Sequence, residues 1–437
     1  MKRSTLLLIV FLCTAFSYAQ DLKPCGTAML AKRHKAQYST TRQASEEEIR
    51  HYEGERKGLI ILVEFPDIHF VSEDPLQTWT DIANKQGYAE NGAIGSVSDY
   101  FYDQSYGKFR LTFDVVGPVM AAHNHDYYGE NIDWGDPVGW FDKNVGELVE
   151  EACKGVADKV DYADYDWDDD GEVDQVFLLY AGHGENEYAS KDSAVIWPHM
   201  ASLILDWDYK DGVVLQGRRI NIYACSNEIS SNAQIPHLSG IGTFCHEFSH
   251  CLGLPDLYNT ETNNSVLGYY DIMSLGSYNG HGWCPAGYSS YERYVCGWLT
   301  PEPVDNPAGI TSLLPLHTSP DTRIYRTSAD ASDYYLIECR AKESWDSYLP
   351  TAGLMAWHID YDEEAWVMNE VNNDPEHLRV ERLTLDKIPT AITGISLEDK
   401  DIIGVSDLQG RPADTSSSGF LIVRYSDGTT RKIIRGR

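Results

Sequence analysis

The stretch TFCHEFSHCLGLPDLYNT, from Thr243 to Thr260, constrains this chain more than any other segment. On a helix, His246 and His250 stand one turn apart on the same face. Two imidazoles so placed can hold one zinc ion, and Glu247 beside the first can reach water on that metal. Zinc lowers the pKa of such water to about 7, so that a carboxylate can take its proton and pass it to a leaving amine. The competing explanation is a core helix that happens to carry polar residues. The residues that follow favour the site. Gly253 lets the chain turn sharply after the helix, and Pro255 lies beyond it. That turn can bring Asp256 back as a third ligand, since an aspartate oxygen is an acceptable zinc ligand. Further on, YYDIMSLGSYNG places Met273 seventeen residues after Asp256, a spacing that suits a methionine turn beneath the metal. Cys245 and Cys251 flank the helix six residues apart on different faces, beyond disulfide reach of each other and better suited to packing.

The pattern HExxHxxGxxD is an extended form of the zinc-metallopeptidase signature; metzincins carry histidine where this chain has Asp256. Glu292, in GYSSYERYVCGWL, is the rival third ligand if Asp256 turns away. Tyr258, Tyr278, His281 and His199 are candidates for steadying an oxyanion, each weighed against a plain packing or surface role. Tyr278 leads because it closely follows the methionine turn.

A formal charge of −32 disfavours nucleic acid and anionic membrane surfaces as partners. The chain opens MKRSTLLLIVFLCTAFSYA, with Lys2 and Arg3 before a short apolar run and small residues at Ser17 to Ala19. This reads as a secretory signal peptide over residues 1–19, and no later stretch is apolar for long enough to span a membrane. Of nine cysteines, loss of Cys13 with the leader leaves eight, an even number in an oxidising compartment, so disulfides are expected without a deducible pairing.

The 437 residues exceed one ordinary core. Residues 20–57 are polar, with basic clusters at Lys32 to Lys35 and Arg56–Lys57, and read as a propeptide or a structured N-terminal arm. From Gly58 strands alternate with helices: GLIILVEF, KFRLTFDVVGPV, QVFLLYAG, VIWPH and VVLQGRRINIYAC read as strands, SVSDYFYDQSYG and KNVGELVEEACKGVA as helices. Residues 58–300 form the expected catalytic domain. In 301–385, ITSLLPL, RIYRT, DYYLIECR and GLMAWHID are short strands of a β-rich segment that completes it. Residues 386–437 read as a small β module. The fold class expected is α+β, a metzincin-like peptidase domain followed by the β-rich segment and that module.

DYADYDWDDDGEVDQV carries Asp164, Asp166, Asp168, Asp170 and Asp174, with Gly171 between the last two. Counted from Asp166, acids at one, three, five and nine and glycine at six match the first part of an EF-hand loop. Position twelve is Phe177 and a strand follows, so the expectation is a calcium loop of another kind, with a solvated acidic turn as the alternative.

HEFSHCLGLPDLY with YDIMSLGSYNG, together with GLIILVEFPD, SVSDYFYDQSYGKFRLTFDVVGPV, DYDWDDDGEVD, IWPH, GWLTP and YYLIECR…GLMAWHID, resembles the immune-inhibitor-A-like family of secreted bacterial metallopeptidases. The resemblance spans about residues 58 to 375. It implies an exported precursor of a zinc endopeptidase, with His246, Glu247, His250 and Asp256 as the zinc and catalytic set, Met273 in the methionine turn and the acidic loop as a calcium site. Ser249, where family members often have glycine, and Leu257, where an acid often follows the aspartate, depart from the pattern without removing a ligand. The tail, VSDLQGRP…SSSGFLIVRYSDGTTRKIIR, is similar to a type IX secretion sorting module, which implies contact with secretion machinery. Cys25, in LKPCGT, is either a thiolate that occupies zinc in a latent precursor or half of a disulfide.

The expectation is thus a secreted or surface-located zinc endopeptidase, passing through the periplasm and acting on protein or peptide. Glu247 is its base and Tyr278 its helper, His246, His250 and Asp256 hold zinc, and calcium stiffens the fold. The alternatives are a surface adhesin with a retired peptidase fold, which intact His246, Glu247 and His250 disfavour, and a zinc hydrolase of non-peptide substrates.

Overall fold

The computed structural model describes residue 27 and residues 52–133, 140–188, 191–206, 208–230, 237–327, 331–389, 402–407, 419–425 and 430–435. The leader at 1–19 and Cys25 lie outside the described residues.

Strand β1 (Gly54–Glu64) organises the chain. Its residues Leu59 to Val63 are at most 1% exposed, so both faces are buried, which is why this strand reads as a continuous apolar run and not an alternating one. Successive side chains point to opposite faces. Ile60 and Leu62 join Phe177, Leu179, Phe244 and Phe248 on one side, while Leu59, Ile61 and Val63 join Leu148, Val149, Ala152 and Leu178 on the other. Around β1 a six-stranded mixed sheet forms from β2 (Phe109–Met120), β3 (Val176–His183), β4 (His199–Ser202), β5 (Ile222–Ser230) and β6 (His237–Leu238), in the order β6-β5-β3-β1-β2 with β4 also on β5. β2 and β3 run parallel to β1, and β5 runs parallel to β3.

Helices cover both faces. Helices α1 (Pro75–Asn84) and α2 (Val97–Gln104) precede β2, and a capping box at Ser96 and Asp99 starts α2. Helix α3 (Val145–Val156) supplies the Leu148/Val149/Ala152 face. Helix α4 (Gly242–Cys251) lies on the opposite face, where Phe244 stacks on Phe177 with ring centroids 3.7 Å apart. Helix α5 (Ser290–Val295) follows.

A second, five-stranded sheet is ordered β7 (Glu302–Pro303), β8 (Arg323–Tyr325), β9 (Asp333–Arg340), β10 (Gly353–Asp360), β11 (Val380–Leu383), with α6 (Glu363–Val367) between the last two strands. It shares the main core: Leu336, Met355, Trp357, Ile359 and Val380 belong to the same buried cluster as Phe244 and Phe248. A buried ionic group ties it to α5. Arg340 pairs with Glu338 (3.2 Å) and Asp346 (2.5 Å), and Glu338 accepts the N–H of Ser290 (2.6 Å). In the tail, β12 (Ile402–Asp407), β13 (Gly419–Tyr425) and β14 (Thr430–Arg435) form a three-stranded antiparallel sheet. Helices and sheets are mixed, as the α+β class requires.

The local expectations needed correction in places. β1 begins at Gly54, opposite Phe109, so Glu55–Lys57 already belong to the strand. VVLQGRRINIYAC breaks at Gln216–Gly217, where φ of 52° and 81° make a tight turn. In VIWPH the strand begins only at His199, after Pro198, which has no N–H to give. ITSLLPL makes a single bridge, Pro315 to Cys339. The expected disulfides are not formed among the described residues: all seven cysteines there are free thiols. Cys153 and Cys225 sit in the core on the α3 side of the main sheet, Cys245, Cys284 and Cys296 in the core on the α4 side, each packed as a small apolar group. No helix among the described residues is long and apolar enough to cross a membrane.

Candidate active site

Helix α4 enters pressed against the chain beyond the methionine turn. A Cβ on Gly242 would lie 1.8 Å from the carbonyl oxygen of Ser277, so only glycine admits this approach. The helix ends as the sequence demands. Gly253 takes φ +77°, its N–H meets the carbonyl of His250 (2.7 Å), and the N–H of Leu254 meets that of Ser249 (3.2 Å). The chain then turns back, and Leu257 donates to the carbonyl of Met273 (2.8 Å), joining the turn after α4 to the methionine turn.

This geometry brings His246, His250 and Asp256 together. Nε2 of His246 and of His250 lie 3.2 and 3.4 Å from Oδ1 of Asp256, and all three residues are buried. The two rings stand 5.0 Å apart and nearly perpendicular. Each Nδ1 is engaged by a backbone carbonyl, His246 with Ile272 (2.7 Å) and His250 with Leu254 (2.7 Å). Because a carbonyl only accepts, Nδ1 of each ring carries a hydrogen and both Nε2 atoms turn inward together. Nε2 of His246 makes no hydrogen bond of good geometry, and neither does buried Oε1 of Glu247. Ligand atoms of His246, Glu247 and His250 all fall within 4.8 Å of one another. Two imidazoles and a carboxylate converging in a buried site fit a divalent cation of the zinc type.

The electrostatics agree. Burial opposes protonation of His246, but Asp256 and Glu247 overcome it and raise its pKa to about 9. Burial raises the pKa of Asp256 too, yet the two histidines outweigh it and hold the carboxyl far below its usual range. Such a concentration of negative potential around the two imidazoles suits a cation. Burial pushes Glu247 up to about 7, against the pull of His246 and His250.

Glu247 faces a recess lined by Thr243, His246, Asn263, Ser277 and both Tyr258 and Tyr278. The Tyr278 hydroxyl accepts from Nδ2 of Asn186 (3.0 Å). Met273 is fully buried, its N–H held by Oδ1 of Asp271 (2.8 Å). Glu292 is not at the metal ligands. It caps α5 through the N–H of Ser289 (2.7 Å), and its carboxyl bonds that of Asp271. His199 is equally committed elsewhere, to the carbonyl of Trp197 (2.6 Å) and the hydroxyl of Tyr223 (2.9 Å), while His281 is exposed. Two residues escaped sequence reasoning. Thr27 donates to Oε2 of Glu247 (3.4 Å) and accepts the N–H of Met200 (2.9 Å). Asn369 bonds Asp256 from the far side. Neither stands in a pattern tied by spacing to the helix.

In the acidic loop, ligand atoms of Asp166, Asp168 and Asp174 lie within 4.8 Å of one another. Asp164 is drawn away by Lys57 (2.7 Å), because it sits in the short helical turn Tyr162–Tyr165 that precedes the loop. Asp170 is turned to the N–H of Glu172 (2.8 Å). Burial, then the neighbouring carboxylates, raise Asp174 to about 6.

A buried helix that brings two histidines and an adjacent glutamate together with an aspartate after a glycine turn is the pattern of the metallopeptidase class. Residues 50–296 match the family described as Immune inhibitor A peptidase M6, catalytic domain, and the chain belongs to that family. Among curated proteins it is similar to the pre-pro-metalloprotease PrtV of Vibrio cholerae, 26% identical over 276 residues, which is 54% of this chain and 29% of that protein. It is also similar to immune inhibitor A of Bacillus thuringiensis subsp. alesti, 24% identical over 275 residues, covering 54% of this chain and 39% of the relative. The shared region thus spans well under half the length of either relative.

Proposed function

We propose that this chain is a secreted zinc-dependent endopeptidase. The observation that carries the reading is the convergence of His246, His250 and Asp256 beside Glu247 on one buried wall. Zinc, when bound by these three, supplies Lewis acidity that acidifies water and polarises the scissile carbonyl. Glu247 takes the proton of the attacking water and returns it to the leaving amine, a role suited to a carboxyl poised near neutrality. Tyr278, fixed by Asn186 on the recess wall, donates toward the developing oxyanion. Retention of buried Glu247 beside His246, His250 and Asp256 speaks against a retired adhesin, which has no use for a buried carboxylate whose Oε1 makes no hydrogen bond.

Zinc content of the full chain, and casein cleavage once the segment ahead of Tyr52 has been cut away, test this reading. Glu247→Ala should keep one zinc per chain and lose roughly 10²–10⁴-fold of the cleavage rate. A parent that binds no zinc, or a variant that cuts as well as the parent, would sink it.

Thr27 at Glu247 supports a precursor that must be cut before it acts, with Cys25 a candidate zinc thiolate. The leader supports export, and the tail sheet a contact with secretion machinery. Calcium at Asp166, Asp168 and Asp174 is the further proposal for the acidic loop. Millimolar calcium should raise the melting temperature of the parent, and Asp168→Asn should abolish the rise.

A further inference from the structure

Asp256 does not reach the two histidines unaided. Its carboxylate has two oxygens, and the one that faces the imidazoles is selected by what holds the other. Nδ2 of Asn369 donates to Oδ2 of Asp256 at 2.6 Å, and the N–H of Asp256 donates to Oδ1 of Asn369 at 2.6 Å. The amide is oriented without ambiguity, since a backbone N–H can meet only its oxygen. This two-point contact fixes backbone and carboxylate of Asp256 together and leaves Oδ1 turned to His246 and His250.

Asn369 is itself held for this task. It is 5% exposed, takes φ +54°, and follows α6 between buried Met368 and Val371. Its neighbours bind the rest of the turn: Nδ2 of Asn372 donates to the carbonyl of Leu257 (3.1 Å), and Oδ1 of Asn373 accepts the N–H of Thr260 (2.8 Å). The loop Asn369–Asn373 therefore grips residues 256–260 from the second sheet, beyond the family match that ends at residue 296.

We propose that Asn369 is a positioning residue for the third metal ligand, so that the site is complete only when the second sheet is in place. The assignment rests on the zinc reading above. A hydrogen bond to a ligating carboxylate raises metal affinity by fixing its direction, and loss of such a partner typically costs 10–100-fold.

The test uses the full chain and zinc affinity from competition with a chromophoric chelator, so that no turnover is needed. Asn369→Gly suits the left-handed backbone while removing the amide. Asn369→Asp keeps the shape and the acceptor but sets a second carboxylate against Asp256, and it decides the matter should the glycine variant fold poorly. Both should bind zinc about 10–100-fold more weakly than the parent. In an Asp256→Ala background the same changes should have no further effect, since the amide acts through that carboxylate. Equal zinc affinity in the parent and both variants overturns the assignment alone, as does a loss that persists undiminished without Asp256. A parent that binds no zinc overturns the zinc reading and this assignment with it.

Discussion

At the scale of single residues, burial sets the chemistry more than identity does. Glu228 is fully buried in β5, where it accepts the N–H of Val71 (2.9 Å). Burial dominates the bonds it accepts and raises its pKa to about 7 from 4.5. A carboxyl whose pKa rises on folding contributes stability that is fully present below its unfolded value and lost as pH climbs through the folded one. The stability attributable to Glu228 should therefore fade between about pH 4.5 and 7 by roughly 3 kcal/mol. Denaturant melts across that window should flatten in Glu228→Gln; an unchanged slope would refute the assignment. Asp271 shows the same physics under the methionine turn. Burial and the facing Glu292 carboxyl raise its pKa well above the ordinary range.

At the scale of elements, α4 is defined by its two glycines. Gly253 at φ +77° stops the helix and aims the chain toward Asp256. Gly253→Ala should lose about 1–2 kcal/mol, the ordinary penalty of a left-handed L-residue, and should weaken zinc binding because the turn carries a ligand. Gly242→Ala puts a methyl into the Ser277 carbonyl at 1.8 Å and should cost more than the ~1–3 kcal/mol of ordinary overpacking. Thermal melts of the two variants should rank in that order; a Gly242→Ala chain as stable as the parent would show that the methionine-turn segment can yield.

At the scale of the whole molecule, the second sheet shares the main core and is not an appendage. Leu336, Trp357 and Val380 share the core of α4, and Arg340 with Glu338 holds the start of α5. Ending the chain after residue 300 should leave that apolar surface open and give insoluble or molten protein. Ending it after residue 389, before the three tail strands, should keep the melting transition and zinc binding. Circular dichroism melts of the two truncations decide this, and loss of the transition in the longer one would make the tail sheet part of the core. At the other end, cleavage between Thr27 and Tyr52 should raise casein cleavage if the segment near Glu247 maintains latency.

Several features could be read from residues alone because their causes are local. The helix bearing His246 and His250, its stop at Gly253, the burial of β1 on both faces and the helix Val145–Val156 all follow from periodicity and from the conformations that glycine permits. Other features come from contacts between residues far apart in the chain. Lys57 withdraws Asp164 from the acidic loop across more than a hundred residues. Asn369 selects the oxygen of Asp256 that faces the histidines, from 113 residues away. Spacing within a helix is fixed by bonded geometry, whereas the partner of a buried polar group is whichever donor the packed fold delivers to it. The sequence by itself therefore determined the histidine pair and its glutamate, and the tertiary structure alone decided which carboxylate oxygen faces them and what holds it there.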